Sequence, residues 1–175
     1  VDIYTPRPSR QPRPLVLFIH GGGWVAGHTR HSGALADFPA VLAALAREGF
    51  VVASLEYRLA AEAPYPAQLQ DARAALRYLR SHATTYGIDP TRVGLWGGSA
   101  GGHLAALAAL SCGDSRFDAA PAPAGSECAQ SAVVWYGVFD FAPILARAAA
   151  NPADTGPNAL LRCQPANCEE SRVQA

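Results

Sequence analysis

The residues best placed to do chemistry surround Ser99. Val93-Gly94-Leu95-Trp96 reads as a short buried strand, and Gly97-Gly98-Ser99-Ala100-Gly101 follows it directly, matching G-x-S-x-G. A serine held on a sharp strand-to-helix turn projects its hydroxyl clear of the backbone, at the positive end of the helix that follows. The flanking glycines fit such a turn because a side chain there strikes the neighbouring strand or helix. Ser99 is therefore the candidate catalytic nucleophile, and the reaction class it points to is acyl transfer. Small-residue loops match this short pattern by chance, so its surroundings have to support it.

A second motif does. The apolar run Pro14-Leu15-Val16-Leu17-Phe18-Ile19 stops at His20-Gly21-Gly22-Gly23-Trp24. Consecutive glycines straight after a buried strand leave backbone N–H groups unshielded, free to converge on the oxyanion of a tetrahedral intermediate. Gly22 and Gly23 supply candidate oxyanion-hole donors, and Ala100, which follows the nucleophile, supplies another. A phosphate-cradling loop is the competing reading, but the dinucleotide glycine spacing and the Gly-Lys-Ser/Thr ending are both missing.

Both motifs need strands to carry them. Val1–Tyr4 alternates like a strand, and a proline- and arginine-rich turn leads to the strand ending at Ile19. Apolar residues at 38, 41, 42 and 45 form a helical stripe closed by Gly49, and Phe50–Leu55 reads as the next strand. Pro66 opens a helix with Leu69, Ala72, Leu76 and Leu79 on one face and Arg73, Arg77 and Arg80 on the expected solvent side. Asp89-Pro90 turns into the strand before Ser99, and Ser131–Tyr136 is another strand. Strands alternating with helices predict an α/β fold, a mostly parallel sheet with helices on both faces. His20 and Ser99 both fall at carboxyl ends of strands, where such folds place their sites.

Taken together, His20-Gly-Gly-Gly-Trp24, Glu56-Tyr-Arg-Leu59, Tyr65-Pro-Ala-Gln-Leu-Gln-Asp71, Tyr86-Gly-Ile-Asp-Pro-Thr-Arg92 and Gly97-Gly-Ser-Ala-Gly-Gly-His103 resemble the α/β-hydrolase carboxylesterases with an HGGG loop. These include hormone-sensitive-lipase-like and bacterial feruloyl-esterase-like enzymes, and the resemblance runs from about Val1 to about Asp140. It implies a carboxylesterase- or lipase-type serine hydrolase acting on a small-molecule ester through an acyl-enzyme, without a metal or cofactor. Trp24, Trp135 and Tyr136 are candidate substrate-binding residues, with ordinary burial as the alternative for each. Tyr57 and Arg58 match a structural pair, and Asp71 caps or pairs near the helix after Pro66. Gly98 stands where many relatives carry Asp or Glu.

The resemblance also implies a triad in the chain order serine, acid, histidine. After Ser99 the chain contains one histidine, His103, on the helix that the nucleophile turns away from. Asp114, Asp118, Asp140 and Asp154 are candidate acids, but no convincing strand follows residue 136 to carry one. The expectation is that residues 1–175 form a single incomplete α/β-hydrolase domain. Its C-terminal strands are missing, and the triad Asp and His lie beyond the chain. The alternative from another class is a non-catalytic ligand-binding or scaffold domain that kept the hydrolase fold; a peptidase of the same fold is a third.

Composition narrows the partners. Half of the 175 residues are hydrophobic, enough for a real core. Fourteen basic residues balance fourteen acidic ones, giving no electrostatic case for nucleic acid or an anionic membrane surface. No apolar stretch approaches the roughly 20 residues that span a bilayer. Cys112, Cys128, Cys163 and Cys168 sit in loop-like stretches. Pairing as Cys112–Cys128 and Cys163–Cys168 closes two local loops and implies a secreted or periplasmic protein, while free thiols imply a cytoplasmic one. Zinc binding lacks a C-x-x-C pair and a nearby histidine.

Overall fold

Leu15, Leu17 and Ile19 alternate with Val16 and Phe18, so a strand through them presents an apolar surface to both sides. Both surfaces are used. In the computed structural model, which describes residues 1–7, 9–32, 37–122, 124–151 and 153–163, the odd-numbered set joins one core and Phe18 joins another. The strand is β2 (Arg13–Ile19), at the middle of a five-stranded sheet ordered β1-β3-β2-β4-β5. The others are β1 (Asp2–Tyr4), β3 (Val51–Leu55), β4 (Ile88–Gly98) and β5 (Ser131–Trp135). β1 runs antiparallel to β3, and the remaining pairings are parallel.

Helix α1 (Phe38–Arg47) covers one face with Phe38, Leu42 and Ala46, packed on Phe18, Val52 and Trp96. Asp37 caps it by accepting the Ala40 N–H at 3.2 Å. Helices α2 (Ala67–Ser81) and α4 (Ala100–Leu110) cover the other face. The short α3 (Ala83–Tyr86) leads from α2 into β4. Helices lie on both faces of a mostly parallel sheet, as the element order predicts. This is the α/β-hydrolase architecture. β4 is longer than expected: it starts at Ile88, opposite Arg13, and runs through Pro90 past an irregular register.

Two further helices carry less sequence signal, α5 (Phe141–Ala150) and α6 (Gly156–Leu161). Phe141, Leu145 and Ala148 give α5 a buried stripe, and Asp140 caps it by accepting the Ala142 N–H at 3.0 Å. Leu160 and Leu161 bury α6 in the same core.

The arginines of α2 correct an expectation. Arg73 and Arg77 are 1% and 6% exposed, not on a solvent face. The segment between α4 and β5 folds over them, and a disulfide between Cys112 and Cys128 closes that segment. Arg73 meets Asp118 at 2.9 Å and Glu127 at 3.0 Å, while Arg77 meets the same two carboxylates at 2.8 and 2.7 Å. Arg73 also donates to the Ser111 carbonyl at 2.5 Å, and Arg80 donates to the carbonyls of Pro90, Ser126 and Cys128. A buried guanidinium survives only with such partners. Cys163 is likewise disulfide-bonded, and Cys168, its expected partner, lies outside the described residues.

Candidate active site

Ile19 pairs with Gly97 across β2 and β4, so the glycine loop and the serine turn leave neighbouring parallel strands at the same edge of the sheet. The loop and the turn touch. A Cβ built on Gly21 lies 3.5 Å from Ser99 Cβ and 2.9 Å from the Gly98 carbonyl oxygen. The close fit extends under the helix, where a Cβ on Gly101 would overlap the carbonyls of Ile19 and His20 and one on Gly97 would overlap the Gly101 carbonyl. Only glycine lets α4 settle this deeply between the two strand ends.

Ser99 has φ 56° and ψ −125°, in a region that residues other than glycine rarely adopt. Such strain persists where the surroundings over-determine it. Here the Ser99 N–H donates to the Trp135 carbonyl at 2.9 Å, and the Ser99 carbonyl accepts the His103 N–H at 3.0 Å as α4 begins. The turn is thus pinned by β5 on one side and by its own helix on the other. Ser99 is partly exposed. Ala100 is the first residue of α4, so its N–H is among those a helix cannot satisfy internally and sits at the positive end of the dipole.

The glycine loop is held as firmly. The Gly22 carbonyl turns inward and accepts the N–H groups of Val25 and Ala26, each at 3.1 Å. Gly156 of α6 packs against the Gly23 carbonyl so closely that a Cβ would overlap it. Ala60 N–H donates to the Trp24 carbonyl at 2.8 Å. His20 is fully buried and stacks on Tyr57 with ring centres 4.2 Å apart, and the Tyr57 hydroxyl donates to the His20 carbonyl at 3.1 Å. His20 Nδ1 lies 2.8 Å from the Gly21 carbonyl, which can only accept, so the proton sits on Nδ1. Burial pushes the His20 pKa down and keeps the ring neutral. His20 therefore braces the loop.

The remaining expected site residues are distributed differently. Trp24, expected to wall a substrate pocket, is 2% exposed and lies in the core. Its ring meets His103 edge-on at 5.4 Å and Phe141 at 5.5 Å, because α5 closes over it. His103 is buried in the same group and also meets Phe141, so it has a packing role. Trp135 packs edge-on against Trp96 at 5.0 Å, towards the α1 face, and stays 42% exposed. Tyr136 is 64% exposed and stands beside the nucleophile turn. Its φ of 39° carries the ring over Gly98, where a Cβ would lie 3.1 Å from the phenol oxygen. The candidate acids are engaged elsewhere: Asp114 with Arg116, Asp118 with Arg73 and Arg77, Asp140 as a cap, and Asp154 with Arg147. Arg58 and Asp71 form a forked pair with contacts of 2.8–3.1 Å.

Sequence reasoning missed two supports of the site. Gly156 lies in a polar stretch with no periodicity to mark it. The match of Gly98 to Tyr136 joins the end of β4 to the residue just past β5. Adjacent-strand register was the one signal that could have paired them.

A family model described as BD-FAE matches residues 1–174. The chain belongs to that family. Among curated relatives, esterase LipC of Mycobacterium tuberculosis is 37% identical over 132 residues, covering 75% of this chain and 31% of LipC. A solved truncated form of a carbohydrate esterase from gut microbiota is 32% identical with a TM-score of 0.67, covering 80% of this chain and 52% of that one. Esterase 2 of Thermogutta terrifontis, solved as its sarin-phosphonylated form, is 28% identical with a TM-score of 0.65, covering 79% and 49%. The chain spans only 28–33% of the curated mycobacterial relatives at the head of the comparison.

Proposed function

We propose that this chain is the nucleophile-bearing part of a serine carboxylesterase that cleaves small-molecule carboxylic esters. Ser99 attacks the ester carbonyl. The N–H groups of Gly22, Gly23 and Ala100 receive the negative charge that develops on the carbonyl oxygen. The alcohol then leaves, and water releases the acid from the Ser99 ester. A histidine supplied by chain beyond residue 175, oriented by an aspartate from the same segment, takes the Ser99 proton and returns it to the leaving alcohol. Trp135 and Tyr136 border the substrate, with Tyr136 the nearer to the nucleophile. The Cys112–Cys128 disulfide favours an oxidising compartment, hence a secreted or periplasmic protein.

The observation that carries this reading is the contact between the glycine loop and a strained, partly exposed serine at one sheet edge. Esterase relatives and neighbours support the reaction class. In the full-length protein a fluorophosphonate probe is expected to label Ser99, with the label lost in Ser99→Ala. Labelling that survives this substitution, or none at all, would show that the hydroxyl is not an activated nucleophile.

A further inference from the structure

A second cleft opens at the opposite end of the sheet. It is about 650 Å³ in volume and lies between the β1–β2 connection, the start of β3, α3 and the start of β4. β2 separates it from the glycine loop by seven residues, roughly 20 Å of extended chain. Arg7, Arg10 and Arg13 line it, and none of the described lining residues is a carboxylate. Arg58, Arg73, Arg77 and Arg92 are all paired to acids, whereas Arg7, Arg10 and Arg13 hold no ion pair among the described residues. Arg13 adds an independent sign, because its Nε is buried and has no hydrogen-bond partner. A buried donor left unmade is costly, and an arriving anion removes that cost.

We propose that this cleft binds a small organic polyanion, a phosphate ester or a dicarboxylate. Guanidinium groups suit both because their planar forks match phosphate and carboxylate oxygens in pairs. Three of them lining one recess focus a positive field there. The rest of the lining specifies more than a bare ion. Pro6, Pro12 and Pro90 offer apolar surface for a carbon body, and the volume falls within the ~300–1,000 Å³ usual for small-molecule sites. Its lining hydroxyls have no histidine or carboxylate among the described lining residues to activate them, so the site holds its ligand without transforming it.

Calorimetric titration of the full-length protein with phenyl phosphate, phthalate, inorganic phosphate and uncharged phenol tests the proposal. Phenyl phosphate or phthalate is expected to bind more tightly than inorganic phosphate, with affinity falling as salt rises, and phenol is expected not to bind. Preference for phenyl phosphate assigns a phosphate ester; preference for phthalate assigns a dicarboxylate. Arg10→Gln, on the exposed rim, is expected to weaken binding about tenfold or more, the scale of one charge-assisted hydrogen bond. Arg116→Gln, outside the cleft, and Ser99→Ala are expected to leave it unchanged. No binding, equal affinity for inorganic phosphate, or equal loss in Arg10→Gln and Arg116→Gln would overturn the proposal.

Discussion

Around Ser99 the decisive residues are those that lack side chains. Gly101 and Gly98 both border the nucleophile but face different neighbours. A methyl on Gly101 meets the backbone carbonyls of Ile19 and His20, which cannot yield without moving β2. A methyl on Gly98 meets the Tyr136 phenol at 3.1 Å, an exposed side chain able to swing aside. Gly101→Ala is therefore expected to cost on the order of 3 kcal/mol, and Gly98→Ala less than about 1 kcal/mol. Urea unfolding of the two variants checks this, and equal costs would mean that α4 is not wedged between the strand ends. The motifs themselves were legible in the sequence because their glycines are consecutive. Trp24 was not, since position in a motif says nothing about a helix later in the chain closing over it.

Among the elements, the arginine face of α2 governs how the segment before β5 is held. Arg73 is buried against Glu127 and Asp118, so Arg73→Ala removes one of the two guanidinium groups that hold them, leaves Arg77 alone with the buried Glu127, and is expected to cost about 3 kcal/mol. Denaturant unfolding against Arg116→Ala, an exposed control, measures it. The same network gives a pH response. Hydrogen bonding to Arg77 holds the Asp118 carboxyl below its ordinary range. For Glu127, burial acts upward, but the Gly113 N–H and the charges of Arg73 and Arg77 outweigh it and the net shift is downward. Carboxyls depressed in the folded state stabilise it above their ordinary pKa and lose that contribution as pH falls through the folded value. The melting temperature is expected to hold near neutrality and drop below about pH 4, with a shallower acid limb in Glu127→Gln. Helical periodicity correctly gave the leucine stripe of α2. It could not show that the opposite face is covered as well, because the cover comes from residues some forty positions later, joined by charge rather than by period.

Across the whole molecule, the strand positions and both strand-end motifs followed from alternation and punctuation, while the order of the strands was not legible and α5 and α6 were obscured by alanine and proline. The described sheet leaves β5 at one edge, where Val133, Trp135 and Phe139 are 52%, 42% and 69% exposed. An apolar edge strand is a template for pairing with another chain. The 175-residue chain is therefore expected to self-associate with rising concentration in analytical ultracentrifugation, and Val133→Lys to suppress it; a wild-type chain that stays monomeric throughout would contradict this. The disulfide bears on the nucleophile from a distance. Cys112 follows the far end of α4, the helix that Ser99 begins, and Cys128 precedes β5, whose last carbonyl holds the Ser99 amide. Closing a ring over that 16-residue separation is worth about 3 kcal/mol. Double replacement by serine should lower unfolding stability by roughly that amount, as calorimetry would show. Material purified from a reducing expression host would then lack the brace beneath its reactive hydroxyl, and a poor preparation could be mistaken for a poor catalyst.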